Sequence, residues 1–195
     1  MHVIIGTAHG ENVSGKQSPD GKLREYKWSR EICSMIKEKL LSEGIDCSID
    51  IEEPNEKSLT ERINIVNTIS KKHNNDCIYV SVHINAAGSD GKWHNANGWT
   101  VWVYEKCSTN SKKLAVSLFE EAKKENLFGN RYIPSTKYHT ANFAVLRKTV
   151  CPAILTENMF QDNENDVDFL LSEKGKQIIC DIHVNGIKNY LNTLS

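Results

Sequence analysis

Several things are missing from this chain of 195 residues, and each absence removes a class of function. No stretch approaches the roughly eighteen consecutive apolar residues of a membrane-spanning helix, which excludes insertion into a membrane by that route. The first residues carry neither the basic start nor the apolar middle of an export signal, so the chain is expected to stay in a cytoplasm until another agent releases it. Neither sign of charge dominates. The 24 Lys and Arg against 25 Asp and Glu leave a formal net charge of -1, which excludes an overall basic nucleic-acid binder. There is no internal repeat and no low-complexity tract. The six cysteines, Cys33, Cys47, Cys77, Cys107, Cys151 and Cys180, never form a C-x-x-C pair. Spread singly, most of them within apolar runs, they read as reduced thiols and not as a metal cluster.

What is present is an alternation of strand-like and helix-like segments. At this length, with 39% hydrophobic residues, one domain over residues 1–195 with one substantial core is expected. Val3 to Ile5 reads as a buried strand. A polar loop over residues 10–22 ends in the turn signal Pro19-Asp20-Gly21. A helix follows from about Leu23 to Ser42, with Ile32, Met35, Ile36 and Leu40 as its apolar stripe, and Gly44 stops it. Ile45 to Ile51 suits a second strand. Ser58 to Glu61 has the form of a capping box, continued as an amphipathic helix through Leu59, Ile63, Val66 and Ile69. Cys77 to Ile84 is a third strand, residues 85–98 a loop, and Trp99 to Tyr104 a fourth strand. Residues 111–127 are helical, Val145–Leu146 and Ala153–Thr156 read as short strands, and a last helix covers about 173–192. The pattern predicts an α/β fold: a mixed, mostly parallel twisted sheet with helices on both faces. The short third-to-fourth connection leaves room for one antiparallel member.

In such sheets ligands bind outside the carboxyl ends of the strands. Three residues with chemistry stand at such ends: His9 after the first strand, His83 in the third and Glu157 after the late apolar run. Glu25 opens the following helix and precedes Ile32, Ile36 and Leu40 by 7, 11 and 15 positions, so it points along the apolar stripe. A carboxylate aimed into a core needs a cation or hydrogen bonds. Two imidazoles, a carboxylate and an open fourth position make the usual ligand set of catalytic zinc. On these residues alone a bland reading stands beside it, with Glu25 as a first-turn acid favoured by the helix dipole and His83 as a satisfied core histidine.

Longer segments carry a resemblance. "GTAHG" followed by "GKLREYKWSREI", then "SLTERINIVN", "YVSVHINAAG", "NRYI" and "AVLRKTVCPAILTENMFQDN" resemble, in that order, the zinc-dependent N-acetylmuramoyl-L-alanine amidases of the Amidase_3 type, over about residues 2–193. The resemblance implies that His9, Glu25 and His83 bind zinc and that Glu157 is the catalytic carboxylate. It implies peptidoglycan as the substrate, cut between the lactyl group of N-acetylmuramic acid and L-alanine, in the manner of a phage or prophage endolysin. Asn85 and Arg131 are candidates for holding substrate, Arg131 by pairing with a stem-peptide carboxylate. Trp93, Asn95, Asn97 and Trp99 either flank a substrate groove or pack in the core. No nucleic-acid partner and no membrane insertion are expected. Two rival functions are an inactive peptidoglycan-binding or regulatory module of the same fold, and a cysteine hydrolase built on Cys151 or Cys107. His2, His73, His94, His139 and His183 have no partner pattern and read as structural or solvated.

The chain departs from the family in three places. An Asp usually stands shortly before the first His, whereas here the run is Gly6-Thr7-Ala8-His9, so a carboxylate orienting that His is absent or comes from elsewhere. The Thr-Arg pair that usually ends the second strand is missing from "CSIDIEEP". Met159 stands where Glu-x-Gly-Phe is usual.

Overall fold

The computed structural model describes residues 1–194. Six strands, β1 (His2–Thr7), β2 (Cys47–Ile49), β3 (Cys77–Asn85), β4 (Thr100–Val103), β5 (His139–Thr140) and β6 (Ala153–Phe160), form one sheet in the order β2-β1-β3-β6-β4-β5. Every neighbouring pair is parallel except β4 with β6. Two strands, β4 and β5, therefore run against the other four, where the sequence left room for one, and β4 pairs with the late strand β6 instead of with β3.

Strand alternation divides the core in two. Val3 and Ile5 of β1 join Ile78, Val80 and Val82 of β3 on one face, covered by α1 (Glu25–Ser42), α3 (Thr109–Lys124), α5 (Glu164–Leu171) and α6 (Glu173–Asn192). Ile4, Tyr79 and Leu155 face the other way, against α2 (Leu59–Lys72) and α4 (Ala144–Arg147). The α2 helix opens on the expected capping box. Ser58 Oγ accepts from the Glu61 N–H and the Glu61 carboxylate accepts from the Ser58 N–H. Between the helices of the first face, α3 and α6 pack so closely that a Cβ on Gly186 would lie 2.7 Å from Leu118 Cγ.

Three elements differ from the sequence reading. Val145–Leu146 is not a strand but the middle of the single-turn helix α4, where both side chains are buried against the second face. Two adjacent apolar residues carry no periodicity, so strand and helix are indistinguishable there. The polar stretch before the last helix contains α5, capped by Asn163 Oδ1 accepting from the Asp166 N–H. β5 is a two-residue edge strand made by pairing with β4. Among the described residues no helix is long and apolar enough to cross a membrane.

Candidate metal centre and its surroundings

β1, β3 and β6 run parallel, so their carboxyl ends share one edge of the sheet, and α1 begins at that edge. His9 stands two residues beyond β1. His83 and Glu157 are direct partners in the β3–β6 register. Glu25 is the first residue of α1 and is fully buried. The predicted inward aim of Glu25 is met: it shares its face with Ser29, Ile32, Ile36 and Leu40.

The donors converge. Glu25 Oε1 accepts from the Ile84 N–H at 3.0 Å and lies 3.3 Å from His83 Nδ1, while Glu25 Oε2 lies 3.9 Å from His9 Nε2. The two imidazoles stand edge to face, with centroids 5.3 Å apart and planes at 89°. One ligand atom from each of the three residues falls within 4.8 Å of the others. Donors around a tetrahedral zinc at ordinary bond lengths lie about 3.3 Å apart, close to these spacings. Glu25 Oε2 is buried and receives no hydrogen bond. That orphaned oxygen, on a buried carboxylate between two imidazoles, is the feature that a divalent cation would satisfy.

Charge in this pocket is set mostly by burial. Desolvation pushes His9 down to about 4; the Glu25 charge partly opposes this, and His83 adds to it. A neutral imidazole is the ligand form. Burial also works against the Glu25 charge, but the hydrogen bond with His83, the two histidine charges and the Ile84 N–H together hold its carboxyl below the ordinary value. Glu157 goes the other way. Desolvation, then the Glu25 charge, push it up to about 8. Its Oε2 is buried without a hydrogen bond although the residue as a whole is partly exposed.

The surrounding hydrogen bonds hold these groups in place. Ser29 Oγ accepts from the Ala8 N–H at 2.8 Å and donates to the Val82 carbonyl at 2.7 Å, tying β1 to β3 just below the site. Arg30 donates to the His9 carbonyl at 2.8 Å. Asn158 Nδ2 donates to the His83 carbonyl at 2.9 Å. His83 Nε2 is 3.0 Å from Ser81 Oγ, which stands 3.5 Å from Tyr79 Oη, and Tyr79 donates to Asp50 Oδ2 at 3.0 Å. Asp50 also pairs with Arg62 at 2.8 Å and accepts from the Thr7 N–H.

The first departure has a steric counterpart. A Cβ on Gly6 would lie 2.2 Å from Tyr79 Oη, so the phenol occupies the space a larger side chain at position 6 would need. The carboxylate behind the site is Asp50, just after the second strand, and it reaches His83, not His9, through Tyr79 and Ser81. The structure does not explain the missing Thr-Arg pair. The third departure carries strain. Met159 adopts φ 65°, in the left-handed region, beside the register shift between His83 and Asn85. Glycine takes that conformation freely; a methionine does so at a cost of about 1–2 kcal/mol.

The other expected residues separate. Asn85 is the register partner of Phe160, and its Oδ1 accepts from the Ala86 N–H. Arg131 lays its guanidinium 5.2 Å over the Phe160 ring, with its Nε buried and unbonded. Both therefore meet at Phe160, three residues past Glu157. Trp99 is wholly buried and donates to Asn158 Oδ1 at 2.8 Å, so the core reading holds for it. Trp93 is half-buried against the same core, while Asn95 and Asn97 bond to Asn130 across their loop. Cys151 is buried with its thiol pushed up to about 12 by desolvation, unsuited to a nucleophile, and the half-buried Cys107 thiol is also raised.

Sequence reasoning missed the support residues Ser81, Tyr79, Asp50 and Arg62. The period-2 alternation that puts Tyr79, Ser81 and His83 on one face of β3 was the available signal. It also missed partners for four histidines: His94 Nε2 lies 2.9 Å from Asp90 Oδ1, and His183 bonds Thr156 and Ile179. His2 Nδ1 lies 2.8 Å from Asp46 Oδ2, and His73 Nδ1 lies 3.6 Å from the same oxygen.

The sequence and the fold both match known proteins. The Amidase_3 profile, N-acetylmuramoyl-L-alanine amidase, matches residues 3–189, and this chain belongs to that family. It is 30% identical over 194 residues to the N-acetylmuramoyl-L-alanine amidase CwlM of Bacillus licheniformis, a match covering 98% of this chain and 69% of that protein. It is 33% identical over 121 residues to the endolysin of Bacillus phage SPP1, covering 59% of this chain and 40% of that one. Among solved structures, the N-acetylmuramoyl-L-alanine amidase from Clostridium difficile 630 superposes with a TM-score of 0.85 at 24% identity, covering 100% of this chain and 98% of the other.

Proposed function

We propose that this chain is a zinc-dependent N-acetylmuramoyl-L-alanine amidase that hydrolyses the amide joining the lactyl group of N-acetylmuramic acid to L-alanine in peptidoglycan. The observation that carries this reading is the buried Glu25 Oε2, without a hydrogen-bond donor and flanked by two imidazoles. His9, Glu25 and His83 would hold the ion. Bound there, zinc supplies a Lewis acid that polarises a carbonyl and lowers the pKa of a water toward about 7.

The remaining chemistry belongs to Glu157. It faces His83 across one strand pair, near enough to serve a water or amide held at the cluster, and keeps one oxygen free of protein hydrogen bonds. In this reading Glu157 takes the proton of the attacking water on Oε2 and delivers it to the nitrogen of departing L-alanine. A group that does both needs a pKa near the working pH. Burial raises the Glu157 carboxyl into that range, and a cation beside it would bring it part of the way back. His83 keeps its orientation through Ser81, so its Nδ1 stays turned toward Glu25 and would be available to a bound ion. Asn85 and Arg131, meeting at Phe160, are proposed to contact substrate beyond Glu157.

The matched residues are proposed to form one catalytic domain that acts on the cell wall after release, as an endolysin does. The test is a digest of defined muropeptides with the new ends identified by mass. Free N-terminal L-alanine and an intact muramic acid carboxylate are expected. Cuts inside the stem peptide would make the protein an endopeptidase, and binding without any cut would make it a wall-binding module.

A further inference from the structure

A cleft of about 500 Å³ is walled by residues 14–19 of the first loop, by Ala86, Gly88 and Lys92 of the second and by Gln161 and Asp162, and it adjoins the cluster where the Lys16 carbonyl accepts from the Glu25 N–H. Both loops hang from the end of β6. Gln161 Nε2 donates to the Gly15 carbonyl at 2.8 Å, and the Gln161 N–H donates to the Asn85 carbonyl at 2.8 Å. Asp162 spends its carboxylate on the backbone N–H groups of Ala87 and Gly88, at 2.8 and 2.9 Å. The walls are therefore held in place by hydrogen bonds.

Two groups in this cleft lack protein partners. Gln161 is 4% exposed, and because its Nε2 is committed to Gly15, its buried Oε1 is an acceptor with no donor. Lys16 is half-buried, and its own carbonyl accepts from the Glu25 N–H at 3.0 Å, which anchors it at the head of α1. Of the other half-buried lysines, Lys37, Lys39, Lys176 and Lys188 each pair with a carboxylate and Lys57 does not. Lys16 pairs with none among the described residues, yet its charge acts on both His9 and Glu157. A buried acceptor and an uncommitted cation lining one cleft match a peptide that offers an N–H and a carboxylate.

We infer that this cleft is the stem-peptide subsite, with Gln161 Oε1 accepting an amide N–H and Lys16 pairing with the first free carboxylate beyond L-alanine. The inference rests on the amidase reading and deepens it. In a stem that continues L-Ala-γ-D-Glu, that carboxylate is the glutamyl α-carboxylate. Converting it to an amide removes the charge and leaves the size nearly unchanged. Lys16 is thus a specificity-determining residue that separates amidated from unamidated walls.

The test compares kcat/KM on N-acetylmuramoyl-L-Ala-D-Glu with its γ-carboxyl capped as a methylamide, as the stem caps it, and on the α-amide of the same compound, for the wild-type chain, Lys16→Met and Lys16→Arg. A charge-assisted pair at a half-buried site should favour the carboxylate about tenfold or more. The preference should fall to about one in Lys16→Met and return in Lys16→Arg. Titration calorimetry with the γ-methylamide of L-Ala-D-Glu and its α-amide reads the same contrast without turnover. Equal use of both substrates by the wild type, or a preference surviving in Lys16→Met, overturns the role of Lys16. If the chain cuts neither substrate, the amidase reading fails, and the calorimetric contrast still decides for or against the subsite. Preference for a carboxylate further along the stem, shown by a tripeptide and its amides, would remove the glutamyl assignment.

Discussion

Two clusters of the same composition, two histidines and one carboxylate, stand at opposite edges of this sheet. His9, Glu25 and His83 lie at the carboxyl ends of β1 and β3; His2, Asp46 and His73 lie at the amino ends. In the first, the carboxylate is buried, one of its oxygens has no donor, and the imidazole planes are nearly perpendicular, so ring nitrogens converge. In the second, the Asp46 side chain is 65% exposed and both His2 nitrogens are engaged, one by Asp46 and one by Ser48 Oγ at 2.8 Å. The His2 and His73 rings stack at 3.7 Å with planes 12° apart. Parallel rings point their lone pairs side by side, and an ion between the two planes would lie out of plane of both. Residue types and proximity do not make a metal centre. An unsatisfied buried charge and convergent lone pairs are what the proposed zinc site has and this second cluster lacks.

The comparison breaks most easily on the metal itself. Chelation should abolish hydrolysis of cell walls and added zinc should restore it, with about one zinc per chain by metal analysis. His9→Ala or His83→Ala should lose the ion, and thermal stability with it, because the ion binds only the folded chain. Stoichiometric zinc retained in either variant at nanomolar free metal removes that residue from the ligand set. Next in size is Glu157→Gln. It should keep its zinc and its fold while turnover falls by about 10²–10⁴, the range of general acid–base contributions. A variant within threefold of wild type would remove the base, and one that lost zinc would make Glu157 a fourth ligand.

How much of this could be read from the sequence depends on whether a signal is local. Glu25 was legible because helical spacing from Ile32, Ile36 and Leu40 fixes its direction. His9, His83 and Glu157 were legible because parallel strands bring their ends to one edge. Asp50, Tyr79 and Arg62 come from β2, β3 and α2, and only the packed sheet makes them neighbours. The same limit hid His2 with Asp46 and His73, whose meeting depends on β1, β2 and the end of α2 at once. Cleft residues Lys16 and Gln161 meet across 145 positions, which no local pattern spans. α4 and β5 were misread or missed because four and two residues are too short to carry a period.

A third histidine sharpens the contrast through pH. His183 is wholly buried on α6, donates from Nδ1 to the Ile179 carbonyl and accepts at Nε2 from Thr156 Oγ1 at 2.9 Å. Burial pushes it down to about 4, opposed by the Ile179 carbonyl. The folded value lies below the unfolded one of about 6.5, so its contribution to stability is complete above that pH. The contribution is lost as pH falls toward about 4, by about 3 kcal/mol in all. Urea unfolding of metal-free protein at pH 7 and pH 5 should show wild type losing more stability than His183→Leu. Equal losses would mean that His183 takes up its proton without opposing the fold.

The smallest effect expected is at the second cluster, and it tests the comparison from the other side. If His2, Asp46 and His73 are a structural clasp, Asp46 acts only by joining the start of β1 to the end of α2. The Asp46 carboxyl is held below its ordinary value, first by the hydrogen bond from His2. Its high exposure means solvent screens most of that interaction, and exposed ion pairs contribute about 1 kcal/mol or less. Asp46→Asn should therefore shift unfolding by no more than about that amount, leave hydrolysis unchanged and leave zinc at about one per chain. Metal analysis after equilibration with excess zinc and dialysis makes the decision. A second equivalent bound by the wild type and missing from Asp46→Asn would mean that the stacked rings turn to converge on an ion. The contrast between the two edges would then be one of affinity and not of kind.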